Sequence, residues 1–374
     1  MRILITSYRP LGYGGAEISV SLLAKGLNKL GNKVIIASTE KFGGFECKLF
    51  KKFEKLPFKF HEIYLKHFLI NIIKKEKIDV IYSQDRLTSI GAILAAKKCK
   101  IKTVVHFRDY WFACPYSSCL SEDGFEYNKC TSKIILKHFK AKRWLWDFYK
   151  LKYLRRARKI LDKADIKIAN SSAVKRRLEI NNIRNSIVVP ILREFKDEIG
   201  DGSRIKKKYN LRKKVITFIG SLTYPKGIMN MVKIMPNILN DNISFLIVGS
   251  GALFDKIRGD GIVKTGKLNF NEMKDIYAAS DLIVLPSLWQ EPLSGILLEA
   301  ASFKKAILSS DRGGSIDIFE DLIKADDLNE WEKRIKELIE NDDLRNKKAL
   351  EWYKKAKSKY DVDIISKKIN ELLN

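Results

Sequence analysis

No uninterrupted apolar run in these 374 residues reaches membrane-spanning length, which excludes a helical bilayer span. Met1-Arg2 leads straight into ILITSY, a first strand by its pattern, so no secretory leader is expected. Cysteine is scarce and odd in number: Cys47, Cys99, Cys114, Cys119 and Cys130, with none in the second half. Without a leader these read as reduced cytosolic thiols and not as a disulfide framework. Short repeats are also absent. Acidic residues are few in the first half, where residues 1–190 carry 39 Lys and Arg against 16 Asp and Glu, a net +23. Residues 191–374 carry 32 against 28, so nearly all of the chain's +27 lies in one half. The halves therefore face different partners. The basic half expects an anionic one: a membrane surface, nucleic acid or a phosphorylated lipid.

What is present is a regular alternation of strand and helix. RILITSY (2–8), KVIIAS (33–38), IDVIYS (78–83), KTVVHF (102–107), DIKIAN (165–170) and SIVVP (186–190) read as buried parallel strands. Helices are expected at about 16–30, 61–77, 88–98 and across 132–163, with one more at SSAVKRRLEI. The second half repeats the pattern with KVITFIGS, SFLIVGSG, IVKTG, DLIVLPS and KAILSS, and with helices at 227–240, 270–279 and 295–303. At this length the pattern specifies two doubly wound α/β domains, whose ligands belong at the carboxyl ends of the strands. The expected boundaries are 1–192 and 193–355, with a charged linker over 193–214. A C-terminal helix, 356–374, is expected to pack back on the first domain.

The most informative segment is LPSLWQEPLSGILLE, 285–299. It sets Glu291 in a loop after a strand and Glu299 about one turn into the next helix. Ser294, Gly295 and Ile296 offer backbone N–H groups at that helix N-terminus, where an anion or a sugar hydroxyl is well received. Carboxylates suit sugar and ribose diols because each accepts several hydrogen bonds. For a single E-x7-E spacing, a loop Glu plus a solvent-facing helical Glu would be the ordinary explanation; the glycine elbow between strand and helix favours a site.

This segment resembles the E-x7-E signature of the GT4 family of retaining glycosyltransferases, and the resemblance covers about 350 residues in ordered pieces. It implies the GT-B fold, two Rossmann-like doubly wound domains facing across a cleft. GYGGAE (12–17) fails the dinucleotide fingerprint, since Glu17 stands where a third glycine belongs, but is similar to the family's GGAE. The resemblance therefore places Gly14 and Gly15 near the donor phosphates. GSLTYPKG (220–227) is similar to G-R-x-x-x-x-K-G, whose Arg and Lys hold the donor diphosphate. Lys226 matches, whereas Ser221 stands where the family has Arg. Either one cation suffices, or another such as Arg312 substitutes, or catalysis is impaired. His106, ending KTVVHF, matches a histidine expected to support the transferred sugar. Arg108 and Asp109 are assigned to the acceptor side, although Asp109 equally suits a turn cap. Asp311-Arg312-Gly313-Gly314 and Gly266 fall where relatives approach the donor; plain turn chemistry explains them as well.

Under the resemblance Glu291, His106 and Lys226 are the catalytic candidates. Gly14, Gly15, Ser221, Lys226, Glu291, Ser294, Gly295, Ile296 and Glu299 bind a UDP- or GDP-linked sugar, a co-substrate, with no metal and no cofactor. The acceptor is expected to be a glycan or lipid-linked sugar at the cytoplasmic membrane face. The spacing of Cys114, Cys119 and Cys130 fits no zinc pattern. Residues 137–159 hold ten Lys and Arg against one Asp, interleaved with Trp144, Trp146, Phe148, Tyr149 and Tyr153. That composition suits a helix lying on an anionic bilayer, or equally an amphipathic helix with an aromatic core face. Nucleic acid is not expected, since no RNA-binding fold is visible. Two other classes stay open: a nucleotide-sugar epimerase or hydrolase, and a scaffold without turnover.

Overall fold

The computed structural model describes residues 1–8, 15–51, 58–121, 124–195 and 200–374. They form two compact units, Met1–Leu192 with Val362–Asn374, and Arg193–Asp361. The first unit carries β1 (Arg2–Thr6), β2 (Lys33–Ser38), β3 (Glu46–Leu49), β4 (Val80–Ser83), β5 (Lys102–Phe107), β6 (Ile166–Ala169) and β7 (Ser186–Val188). These pair in the order β3-β2-β1-β4-β5-β6-β7, all parallel. The second unit carries β8 (Lys214–Ile219), β9 (Ile243–Val248), β10 (Ile262–Gly266), β11 (Leu282–Leu285), β12 (Ala306–Ser310) and β13 (Leu322–Ile323). Their order is β10-β9-β8-β11-β12-β13, again all parallel.

Both sheets are covered on two faces, which is why their strands read as continuous apolar runs. In β1, Ile3 and Ile5 join one core with Val20, Leu23 and Leu27, while Leu4 joins the opposite core with Leu65, Leu69 and Ala92. Ile365 and Ile369 of the helix Val362–Leu373 enter the first of these cores. Asn32 Nδ2 donates to Asn370 Oδ1 at 2.8 Å on its rim. The strand order reverses between β1 and β4, and between β8 and β11. In sheets of this kind such switch points open a crevice beyond the carboxyl ends of the strands. The loop after β8 and the loop after β11 flank the one in the second unit, and they are joined: Leu288 N–H donates to Pro225 C=O at 2.8 Å.

Several elements differ from the sequence reading. β3 and β13 were not expected; at four and two residues they are too short to show a period. The helix expected over 227–240 stops at Ile234, because Pro236 lacks the N–H that would continue it. The stretch 132–163 is a helix Ser132–His138, a single 3-10 turn and a helix Trp144–Leu161, with extended backbone at Phe139 between them. The expected linker holds a helix, Gly202–Lys208, capped by Asp201, which accepts from Ser203 N–H and Arg204 N–H. The helix Asp342–Tyr360 runs through position 356 within the second unit, so the returning helix starts at Val362.

Gly227 adopts φ +71°, and a Cβ there would lie 1.8 Å from Pro286 O, so only glycine lets these two loops approach. Gly227→Ala is expected to destabilise the second unit by about 3 kcal/mol. Gly43→Ala, with nothing near its added carbon, should change stability by only a few tenths of that size. Urea unfolding of the two variants checks the contrast.

Candidate functional site

The loop after β8 ends in a 3-10 turn, Tyr224–Lys226, and brings Lys226 to the carboxyl edge of the second sheet. Its ammonium lies 2.5 Å from Glu291 Oε1, with the two side chains 22% and 12% exposed. Ser287 Oγ donates to the other oxygen of Glu291 at 2.8 Å, and Ser310 Oγ donates to Ser287 C=O at 2.7 Å. The Glu291 backbone is held as firmly. Gly314 N–H donates to its carbonyl at 2.8 Å, and Gly313 N–H donates to Gln290 Oε1 at 2.9 Å. A Cβ on Gly313, at φ +59°, would sit 1.8 Å from Glu291 O. The Asp311–Gly314 turn therefore shapes the Glu291 loop directly. Arg312 on that turn pairs with Asp311 at 3.6 Å. Ser221 is solvent-exposed, and its carbonyl accepts from Thr223 N–H at 3.0 Å.

Four residues beyond Glu291 the helix Gly295–Ser302 begins. Ser294 is buried at its N-cap position without a side-chain cap hydrogen bond, so the Ser294 hydroxyl does not occupy the N–H groups of the first turn. Glu299 is the fifth helical residue. One of its carboxylate oxygens accepts from Arg193 Nη1 at 2.8 Å and the other from Tyr277 Oη at 2.9 Å. Burial, the Glu299 carboxylate and its hydrogen bond hold the Tyr277 hydroxyl well above its usual pKa, so it stays a donor. The sequence reading missed both Arg193 and Tyr277; they lie 106 and 22 positions from Glu299, and no local pattern links them. Gly266 closes β10 at φ +75° with open space beyond it.

Gly14 lies outside the described residues, and Gly15 opens the helix Gly15–Lys29. His106 is fully buried, with Nδ1 2.7 Å from Tyr82 Oη on the adjacent strand. Burial, then the nearby Arg108, pushes its pKa well below the usual value, so it is a neutral core imidazole. Its Nε2, also buried, has no hydrogen-bond partner among the described residues. The two-residue alternation of a strand turned the ring into the packed layer. Asp109 accepts from Trp111 N–H at 2.7 Å and so caps the turn after β5. Burial raises its carboxyl to about 6, against that hydrogen bond and the attraction of Arg86. Asp85, which the sequence reading passed over, accepts from Leu87 N–H and Thr88 N–H at the head of the next helix and from Tyr8 N–H at 3.0 Å. It ties the ends of β1 and β4 together at the first unit's own switch point.

Cys114, Cys119 and Cys130 are all buried, and Cys114 Sγ lies 2.9 Å from Tyr127 Oη. Burial alone would raise the Cys114 thiol; hydrogen bonds from Cys119, Tyr127 and the backbone bring it down to about 6. Among the described residues, no group of three or more His, Cys, Asp or Glu is arranged to hold a metal ion. In the basic segment the single acid, Asp147, is turned inward onto the Tyr116 hydroxyl, which also accepts from Arg143 Nη2 at 2.6 Å. Leu145 is 91% and Trp146 56% exposed, and Trp146 stacks on Tyr149 with centroids 5.3 Å apart. Arg156 pairs with Glu62 at 2.5 Å, joining this helix to Phe58–Glu76, which exposes Phe60, Ile63 and Tyr64. Among the described residues no helix is long and apolar enough to cross a membrane.

Comparison with known proteins agrees with this layout. A family model described as Glycosyltransferase Family 4 matches residues 13–190, and one described as Glycosyl transferases group 1 matches residues 213–341. An uncharacterized glycosyltransferase of Methanocaldococcus jannaschii, MJ1069, is 28% identical over 295 residues, 72% of this chain and 68% of that protein. An Escherichia coli UDP-Gal:alpha-D-GlcNAc-diphosphoundecaprenol alpha-1,3-galactosyltransferase is 26% identical over 261 residues, 66% of this chain and 61% of that protein. HepE of Anabaena, solved in complex with UDP-glucose, superposes with a TM-score of 0.75 at 17% identity, over 100% of this chain and 99% of its own. That likeness shows the fold, which is GT-B.

The raised Asp109 carboxyl has a consequence for stability. Its folded pKa of about 6 lies above the unfolded value of 3.8, so the fold favours the proton and loses stability as pH rises through that window. Asp109→Asn removes the dependence. The melting temperature of the wild type should therefore fall relative to that of the variant between about pH 4 and pH 7, as thermal scans across that range would register.

Proposed function

This chain is a GT4-like glycosyltransferase of the group 1 type, and on that premise we propose that it transfers a sugar, with retention, from a nucleoside-diphosphate sugar to a glycan or lipid-linked acceptor. The observation that carries the reading is the constellation at the second switch point: Lys226 on Glu291, followed by a helix N-terminus that Ser294 leaves uncapped, and then Glu299. In this reading Glu299 accepts the ribose hydroxyls and Glu291 those of the transferred sugar. The N–H groups at Gly295 and Ile296 meet phosphate or hydroxyl oxygens. Lys226 stabilises the charge that builds on the leaving diphosphate, a contribution of several kcal/mol in sites of this kind. Arg312, on the turn that shapes the Glu291 loop, supplies a second cation in place of the arginine that Ser221 replaces. No metal or cofactor enters this scheme.

The first unit takes the acceptor, with Arg108 and Asp109 at the end of β5. Its basic helices rest on an anionic membrane surface, bases outward and Leu145, Trp146 and Tyr149 directed at the headgroup boundary. Lipid linkage of the acceptor draws support from the E. coli relative, whose name specifies a diphosphoundecaprenol-linked substrate. A chain that works on such a substrate acts at the cytoplasmic membrane face.

Titration calorimetry with a panel of UDP- and GDP-sugars tests the donor reading. One donor should bind saturably, and Glu299→Ala should weaken it at least about tenfold, as the loss of charged hydrogen bonds requires. Silence across the whole panel would discard the reading and favour a scaffold, consistent with Ser221. Turnover of the donor without acceptor would instead mark an epimerase or hydrolase. For the membrane, reversing the exposed charges of Lys140, Lys142, Lys152 and Lys159 should abolish co-sedimentation with anionic vesicles, each being worth about 1 kcal/mol near the surface. Binding that ignores both lipid charge and these substitutions contradicts the surface assigned.

A further inference from the structure

The chain passes from one compact unit to the other twice, at Leu192–Arg193 and again at Asp361–Val362. These two passages are fastened side by side. Arg193 N–H donates to Tyr360 C=O at 3.0 Å, and Arg193 forms a parallel β-bridge with Asp361. The same Arg193 sends its guanidinium to Glu299 Oε1 at 2.8 Å, with the side chains 15% and 20% exposed. A second route runs between the same elements. The helix Asp342–Tyr360, whose last residue accepts the Arg193 N–H, also donates from Trp352 Nε1 to Leu297 C=O at 3.3 Å, two residues before Glu299. Phe195 is packed edge-on against Tyr353 of that helix, with centroids 5.9 Å apart.

A carboxylate has about four acceptor directions. Arg193 and Tyr277 take one on each oxygen of Glu299 and leave one on each for a diol. A planar guanidinium on one oxygen and a fixed phenol on the other set the plane of the carboxylate, and so the direction of the two remaining lone pairs. The Tyr277 ring is itself held by stacking on Phe303 with centroids 4.8 Å apart.

We propose that Arg193 is a positioning residue for the nucleotide. It orients Glu299 toward the ribose diol and makes occupancy of that diol felt at the paired passages Arg193 and Asp361. The inference rests on Glu299 as the ribose ligand, and its test separates the two. Binding of the nucleoside diphosphate selected by the wild type is compared with binding of its 2′-deoxy counterpart, in the wild type, Arg193→Ala and Arg193→Lys. Arg193→Ala should lose about tenfold in affinity for the ribonucleotide and most of the preference over the deoxy form, and Arg193→Lys should recover part of both. Amide exchange on the unmodified protein should slow at residues 193–195 and 359–362 on nucleotide binding, and Arg193→Ala should abolish that slowing. A wild type that binds no nucleoside diphosphate overturns the donor reading and this inference together. A wild type that binds, with affinity, ribose preference and exchange unaltered in Arg193→Ala, overturns this inference alone.

Discussion

The contact between Lys226 and Glu291 is the one on which the candidate site of the second unit depends. Two unit charges at this separation attract by a few kcal/mol in a partly wet site, roughly 4 kcal/mol at 4 Å with an effective dielectric of 20. Removing both from water costs a similar amount, so the pair adds little to net stability. Its effect is geometric. Two loops that leave neighbouring strands of a parallel sheet are drawn to one point, and everything packed on Glu291 takes its place from there. Ser287, itself bonded by Ser310, fixes the carboxylate, Gly314 N–H fixes its backbone carbonyl, and Gly227 lets the Lys226 loop close on Pro286. Three loops after β8, β11 and β12 thus behave as one pre-organised surface.

How much of this was legible in the sequence follows from which interactions are local. The buried strands, their alternation with helices and the two-sheet layout are written in periods of a few residues, and so was the strand–loop–helix that carries Glu291 and Glu299. The partners of those carboxylates are not local. Lys226 precedes Glu291 by 65 positions and Arg193 precedes Glu299 by 106, and only the closed sheet brings them together. The burial of His106 was hidden for another reason. A histidine at the end of a strand lies on one of two faces, and in a sheet covered on both faces either is interior, so sequence position could not indicate exposure. Strands of two to four residues, such as β13 and β3, carry too few side chains to display a period.

The basic first half obeys a simple division within its own unit. Arg158, buried, spends its guanidinium on the carbonyls of Phe112 and Ala113. Asp147 is turned inward to Tyr116. The remaining bases of the helix Trp144–Leu161 are left mostly at the surface beside an apolar tip, Leu145 and Trp146. Burial of one acid and exposure of many bases makes the outward field stronger than composition alone would give. Singly exposed leucines are ordinary, but Leu145 adjoins the exposed Trp146 and Tyr149. Under the proposed function these bases and this apolar tip are what would meet an anionic membrane surface.

The serine at position 221 takes on a different meaning once the pairing is known. Three cations of the candidate site each have an acid beside them: Lys226 with Glu291, Arg312 with Asp311, and Arg193 with Glu299. The local net charge is then close to zero, and an arriving diphosphate competes with carboxylates for the same cations instead of meeting free positive charge. An additional arginine at 221 would have tilted that balance toward tight, unselective binding of any polyphosphate. With serine there, and under the proposed function, charge contributes less and discrimination passes to Glu291 and Glu299 as the groups proposed to read hydroxyls. A wrong ligand leaves the remaining acceptor directions of these largely buried carboxylates unfilled, and that penalty separates ligands that differ in a hydroxyl. Under the proposed function, the departure from the family pattern thus shifts the source of specificity from phosphate to sugar and ribose.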